Sequence, residues 1–328
     1  MTYLANEYHD IVQMKSIGKS HEELDIYVLK VGSDTAAHKP SIWVDGGMHA
    51  REWPSPHTAL YFIDQLVRYY GNDVSITKYV DQLDFYFAPV LNPDGFVYTQ
   101  TSENPKVRLW RKNRAPESCG PDPFYIGQTA CCTGVDLNRN FDHYWKKHFR
   151  SGTAPCHPNF GGKSAFSEPE SRAVRDFVLE RRKKIKAFIS LHTYGQIWLY
   201  PFGHSAKEYP DNVEELESVS KTAVNKLWKK YNTNYTVGST ADILYLASGI
   251  SADWAKESGG IRYSFIIEMR PGRENRTNYL KRTGGFFLPE EDLLPVAEET
   301  WEAFRVVTEK IIKDKKSEPD VMLNYEDL

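Results

Sequence analysis

The strongest constraint in this chain is a set of short apolar runs with little polar alternation. Ile26–Val31, Ile42–Asp45, Phe85–Leu91, Ala187–Leu191 and Tyr263–Glu268 read as β-strands, several of them apolar at consecutive positions. A strand that is apolar on both faces must be covered on both, so these runs predict a sheet with helices on either side. Helical patterns alternate with the strands and begin near Ser55, Ser167, Asp211 and Leu294. At Ser167 the sequence "SEPE" offers a capping serine, a first-turn proline and a glutamate at the third helical position, which predicts a capping box. After Asp211, Val213, Leu216, Ala223 and Leu227 recur at helical spacing and predict a core-facing stripe. Nothing divides the 328 residues by repeat or low-complexity linker, and 41% are hydrophobic, enough for a sizeable core. The expectation is a single α/β domain over residues 1–313 with a mixed sheet, its functional residues at strand ends, followed by a solvated tail, 314–328. Residues 101–165 read as one long turn-rich stretch, a length usually kept for function.

The formal net charge is −3 and there is no long basic block, which argues against nucleic acid or an anionic membrane as the main partner. No apolar run is long enough to span a membrane. The N-terminus lacks the apolar core of a signal peptide. Three features nevertheless point to secretion, with the leader absent from this chain. The four cysteines cluster between Cys119 and Cys156 in a loop segment, and Asn234-Tyr-Thr and Asn275-Arg-Thr are glycosylation acceptor sequences. A cysteine metal site is the other reading of the cluster, but adjacent Cys131 and Cys132 do not fit the usual zinc spacing.

Chemistry collects at the strand ends. "SIWVDGG" is followed by His49 and Glu52, "KAFISL" by His192, and "RYSFIIE" closes on Glu268. Each has a bland reading: a loop histidine beside a solvated glutamate, a hydrogen-bonded strand-end histidine, an ion pair between Glu268 and Arg270. Together they supply two histidines and a glutamate, a set that holds catalytic zinc, with a further carboxylate able to act as general base. "RLWRKNR" and "VDLNRNFD" add arginines in the long loop stretch, either a solvated surface or donors that grip an anion in fixed geometry.

At these residues the chain resembles a known family. "HAREW", "NPDGF", "RLWRK", "GVDLNRNFD", "SEPES", "LHTYGQ", "LYPFG", "YLASGISADW" and "YSFIIEMR" occur in one order and resemble the pancreatic-type zinc carboxypeptidases of the A/B family, from about Tyr3 to Lys310. The resemblance implies an eight-stranded mixed, twisted sheet with helices on both faces. It implies one Zn2+ per chain held by His49, Glu52 and His192, with Asp136 orienting a ligating imidazole from outside. Glu268 matches the general base and proton shuttle, and Arg111 the arginine that polarises the scissile carbonyl. Asn138, Arg139 and Tyr245 match the group that grips the free C-terminal carboxylate, and Arg51 and Arg108 match secondary substrate contacts. The implied substrates are peptide and protein C-termini, the implied partners an inhibitory pro-segment or protein inhibitor, and the chain is expected to be a monomer.

Specificity in such proteins turns on the base of a side-chain pocket, which is acidic where Lys or Arg is removed. Ala252 stands at that position, and Leu199, Gly203, Thr240, Ile250 and Ile266 align with other pocket positions. No acid is among them, so apolar C-terminal residues are expected, and Ile250, where a glycine is common, narrows the pocket towards aliphatic ones. Cys132 and Cys156 match the disulfide most common in the family, and Cys119 is expected to pair with Cys131 in an extra segment. The resemblance leads one to expect a secretory leader, an inhibitory pro-domain and a further N-terminal helix ahead of Met1, none of which is visible in this sequence. It gains an insertion, 271–285, with four basic residues and one acidic, expected at the active-site rim as a glycosylated, solvated loop or an attractant for acidic partners. Two alternatives stay open: a zinc deacylase of small acyl-amino acids, and a non-enzymatic protein that binds peptide ends.

Overall fold

The computed structural model describes residues 1–36, 38–145, 154–272 and 285–317. Its sheet runs in the order β1 (Val12–Lys19), β2 (Asp25–Val31), β4 (Asp84–Ala88), β3 (Ser41–Asp45), β7 (Ile185–Thr193), β10 (Tyr263–Met269), β8 (Ile197–Tyr200) and β9 (Thr236–Ser239). The four central strands β4, β3, β7 and β10 are parallel. β1 and β2 extend the sheet antiparallel on one side, and β8 does so on the other, with β9 parallel to β8. A separate hairpin of β5 (Ser118–Pro121) and β6 (Thr129–Cys132) stands off the main sheet.

Both faces are covered, as the apolar runs require. Ile42, Val44, Ile189, Leu191, Phe265 and Ile267 point into the larger core. Over that face lie α2 (Pro54–Tyr69), α3 (Val74–Gln82), α6 (Val213–Tyr231) and α9 (Glu290–Ser317). Trp43 and Phe188 point the other way, into a second core under α5 (Pro169–Arg181) and α8 (Ser251–Glu257). Trp43 stacks on Phe188 with ring centroids 6.2 Å apart and tilts against Phe177 at 5.3 Å. Full burial of a large apolar side chain contributes about 1.5–3 kcal/mol. Leu216, Ala223 and Leu227 are buried on the inner stripe of α6, and Val213 packs against it. That helix ends where Asn232 takes a left-handed conformation, φ 54°.

Several expectations need correction. The capping box at Ser167 does not form: α5 starts at Pro169, after Glu168, and Ser167 Oγ donates to Glu168 Oε1 at 2.6 Å. Ser167 Oγ is engaged elsewhere, since it also accepts from Asn140 Nδ2 at 2.9 Å, while Asn140 Oδ1 accepts from Glu168 N at 3.2 Å and Ser171 Oγ at 2.5 Å. The strand expected to reach Leu91 stops at Ala88, because Pro89 has no N–H to continue the ladder. The last helix begins at Glu290, not Leu294, on the acidic turn Glu290–Asp292 that suits a helix N-terminus. It also runs past residue 313 to Ser317; residues 318–328 of the expected tail lie outside the described residues. The stretch 101–165 is less irregular than expected. It holds the β5–β6 hairpin, short turns of 3-10 helix at Pro105–Leu109 and Leu137–Arg139, and two disulfides. Cys132 pairs with Cys156, and Cys119 with Cys131 across the hairpin, both as expected.

Candidate active site

Topology brings the expected residues to one sheet edge. The parallel strands β3, β7 and β10 all end on the same side. Along β7, Ser190 and His192 fall on the face opposite Ile189 and Leu191, since side chains alternate. Glu268 pairs in register with His192 on the neighbouring strand and falls on the same face.

The loop after β3 carries His49 and Glu52, and glycine is required at its start. A Cβ at Gly46 would lie 2.8 Å from Ser55 O and 3.1 Å from Pro89 O, and Gly47 has φ +61°. Glu52 N donates to His49 O at 3.1 Å, and Ser55 Oγ donates to Glu52 O at 2.9 Å. Asn92 binds this loop to the next: it caps α4 (Pro93–Thr101), and its Nδ2 donates to Met48 O at 3.3 Å and Lys112 O at 3.0 Å.

His49, Glu52 and His192 are buried, and their ligand atoms converge. Glu52 Oε1 is 2.8 Å from His49 Nδ1, Glu52 Oε2 is 2.9 Å from His192 Nδ1, and the two Nδ1 atoms are 3.1 Å apart. The outer nitrogens fix the tautomers. His49 Nε2 lies 3.0 Å from the Asp136 carboxylate, which can only accept. Ser190 gives its hydroxyl proton to Asp45 Oδ1 at 2.6 Å, so it accepts from His192 Nε2 at 3.0 Å. Asp45 also accepts from Trp43 Nε1 at 2.8 Å; burial pushes its carboxyl up to about 6, which leaves it ionised at neutral pH. Both Nδ1 atoms therefore present lone pairs to each other and to a carboxylate. Three electron-rich atoms at such distances call for a cation, and two imidazoles with one carboxylate are a donor set that suits zinc. Asp45 and Ser190 escaped the sequence reading, although Asp45 is a carboxylate closing an apolar strand, the same signal that marked Glu268.

Asp136 joins two expected groups. Besides His49 it accepts from Arg111 Nε at 3.0 Å and Nη2 at 2.8 Å, and Arg111 Nη1 stands 3.8 Å from Glu52 Oε1. Burial raises the Asp136 carboxyl, but Arg111 and His49 reverse that and hold it well below the usual range. Asp136 also caps the 3-10 turn of Leu137–Arg139 through Asn138 N, 3.0 Å. Asn138 Oδ1 accepts from Ser251 N and Oγ at 2.9 and 3.0 Å, and Arg139 Nη2 donates to Tyr245 Oη at 3.0 Å. Arg51 lies over the Phe286 ring at 3.9 Å, and Arg108 lies over Trp53 at 3.7 Å while donating to Arg51 O and Phe286 O. Those two cations thus hold the segment that follows the insertion; residues 273–284 of the insertion, Asn275 included, lie outside the described residues.

The pocket positions also come together. Leu199 and Ile266 pair across β8 and β10 and cluster with Ile197, Ala247, Ile250 and Ala252. A Cβ at Gly203 would be 2.5 Å from Ile250 Cδ1 and 3.1 Å from Thr240 Cγ2, so both side chains crowd that glycine.

A family profile described as zinc carboxypeptidase (Peptidase_M14) matches residues 1–303. This chain belongs to the zinc carboxypeptidase family. The carboxypeptidase is 39% identical to carboxypeptidase B of Bos taurus over 94% of this chain and 68% of the relative. It is also 39% identical to carboxypeptidase A1 of Bos taurus, over 92% of this chain and 65% of the relative, so identity does not separate the two types. In structure it is similar to bovine thrombin-activatable fibrinolysis inhibitor, solved in complex with tick carboxypeptidase inhibitor: TM-score 0.81, 35% identity, covering 95% of this chain and 94% of that one. It is a metallocarboxypeptidase, a hydrolase of C-terminal peptide bonds, with the eight-stranded fold of its relatives.

Proposed function

We propose that this carboxypeptidase removes apolar, chiefly aliphatic, residues from peptide C-termini. The carrying observation is the composition of the pocket: Ile197, Leu199, Ala247, Ile250, Ala252 and Ile266 form one apolar cluster. The buried acid next in sequence, Asp253, lies in α8 outside this cluster and accepts from Gly203 N at 2.8 Å. A Lys or Arg side chain entering such a cluster would lose its hydration without gaining a counter-charge. Ile250 against Gly203 narrows the space and favours Leu or Val over Phe or Trp.

His49, Glu52 and His192 would hold one zinc, which when bound would supply a Lewis acid and lower the pKa of a water. Glu268, beside His192 on β10, takes the proton from the attacking water and delivers it to the leaving amine. Arg111, fixed by Asp136, donates to the developing oxyanion. Arg139, Asn138 and Tyr245 bind the substrate carboxylate and restrict cleavage to chain ends. That grip favours a peptidase over a deacylase. Two disulfides suit secretion. The inhibitor bound to the bovine relative supports a protein inhibitor docking at the same rim. We expect the chain to act as a monomer.

The test is hydrolysis of blocked dipeptides ending in Leu, Phe, Lys and Glu, with zinc, with chelator, and for Glu268→Gln. Cleavage should favour Leu and vanish with chelator. The variant should retain its zinc while losing about 10²–10⁴ in kcat. Faster turnover of Lys than Leu would overturn the specificity reading.

A further inference from the structure

A second group of metal-binding side chains lies outside the catalytic set. His143 follows the turn that carries Arg139, His204 follows Gly203 beyond β8, and Asp253 lies in α8; all three are buried. His143 Nε2 is 3.2 Å from His204 Nδ1, close to the 3.1 Å between the two nitrogens of the catalytic pair. His204 Nδ1 is 4.0 Å from Asp253 Oδ2. The outer nitrogen, His204 Nε2, faces Glu208 Oε2 at 3.3 Å. The inner nitrogen, Nδ1, is the atom of His204 that lies near both His143 and Asp253.

We propose that His143, His204 and Asp253 form a second zinc site, separate from the catalytic one. The two imidazoles are borderline donors, and with one carboxylate they favour zinc over calcium or magnesium. A simple hydrogen bond between the histidines would leave Asp253 Oδ1 unexplained. Its Oδ2 accepts from Gly203 N, and its buried Oδ1 forms no hydrogen bond among the described residues. Access exists: His143 and His204 line a cavity of about 640 Å³ that also borders Glu208, Tyr209 and Lys256. An ion bound there would join the turn at Gly203 to the helix behind Ala252, fixing two walls of the pocket from outside. The site does not depend on the specificity proposed above.

The test is metal content. Protein stripped with chelator is dialysed against Zn2+, and bound zinc is measured per chain for wild type, His143→Gln and His204→Asn, each checked for folding by circular dichroism. The expected ratios are two, one and one. A wild-type ratio of one overturns the proposal whatever the variants do. So does a ratio of two that persists in both folded variants. If neither variant folds, anomalous diffraction at the zinc edge from wild-type crystals must show a peak between His143 Nε2 and His204 Nδ1; an empty position overturns the site.

Discussion

Replacing Asp136 by Asn tests the electrostatic logic of the site at nearly constant shape. Asp136 is fully buried and accepts four hydrogen bonds, from His49 Nε2, Arg111 Nε, Arg111 Nη2 and Asn138 N. An amide offers one accepting oxygen. If that oxygen faces His49 and Asn138 N, the NH2 meets the guanidinium donors of Arg111. If it faces Arg111, the NH2 meets His49 Nε2 and forces the proton onto Nδ1, where the metal should bind. Either way, among the described residues, Arg111 keeps only Glu52, at 3.8 Å, as a carboxylate ion-pair partner. Breaking a buried pair by removing one charge costs about 3–5 kcal/mol. Unfolding entropy of about 2.1 cal/mol/K per residue gives roughly 0.7 kcal/mol/K for this chain, so that loss lowers Tm by about 4–7 °C. Loss of an outer partner of a ligating histidine weakens metal binding about 10–100-fold. The two effects separate experimentally. Melting of metal-free protein reads the ion pair, and competition with a chelator at fixed pH reads the zinc affinity. An Asp136→Asn protein that melts within about 1 °C of wild type and holds zinc within about threefold would refute the reasoning.

Three further outcomes are expected. Ala252→Asp should raise the ratio of kcat/KM for C-terminal Lys over Leu about 10–100-fold, the worth of a hydrogen bond to a charged group. Ile250→Gly should raise the ratio for Phe over Leu about tenfold by opening space beside Gly203, and an unchanged ratio would show that Ile250 does not bound the pocket. Glu170 makes stability fall as pH rises towards neutrality. Burial pushes its carboxyl from 4.5 up to about 7, against the lowering from Asn113. Between those values the unfolded chain gives up the proton that the folded chain retains, so stability falls as pH rises from about 4.5 to 7. His21, raised by its bond to Glu168, acts in the same direction, its stabilisation being lost as pH rises through its folded pKa. Glu170→Gln should flatten the fall by about 1–3 kcal/mol, measured by denaturant melts at pH 5 and pH 8.

What was legible in the sequence follows from what each signal requires. His49, Glu52, His192 and Glu268 could be found because each follows a run of buried strand, and strand ends are where a parallel sheet presents chemistry. β1, β8 and β9 were missed. β1 is an edge strand of mostly half-exposed residues, while β8 and β9 are only four residues each, too short for a period to show. Ser190 and Asp45 needed the register between β3 and β7, which pairs them directly and which no local pattern encodes. His143, His204 and Asp253 come from three separate segments, and nothing within any one of them signals the others. The capping box failed for a related reason: a distant side chain, Asn140, engages the Ser167 hydroxyl through its Nδ2.

The parallel order of β3, β7 and β10 has a consequence for the time course of folding. His49 and Glu52 sit three residues apart, but His192 arrives from 143 positions beyond His49 along the chain. A nascent or collapsed chain can offer zinc two ligands at most. The third appears only when β7 has docked beside β3, a contact of long range that pays its loop entropy late. Zinc uptake therefore reports the completion of the central sheet rather than guiding it. Metal added at the start of refolding should leave the rate unchanged and slow only the reverse reaction.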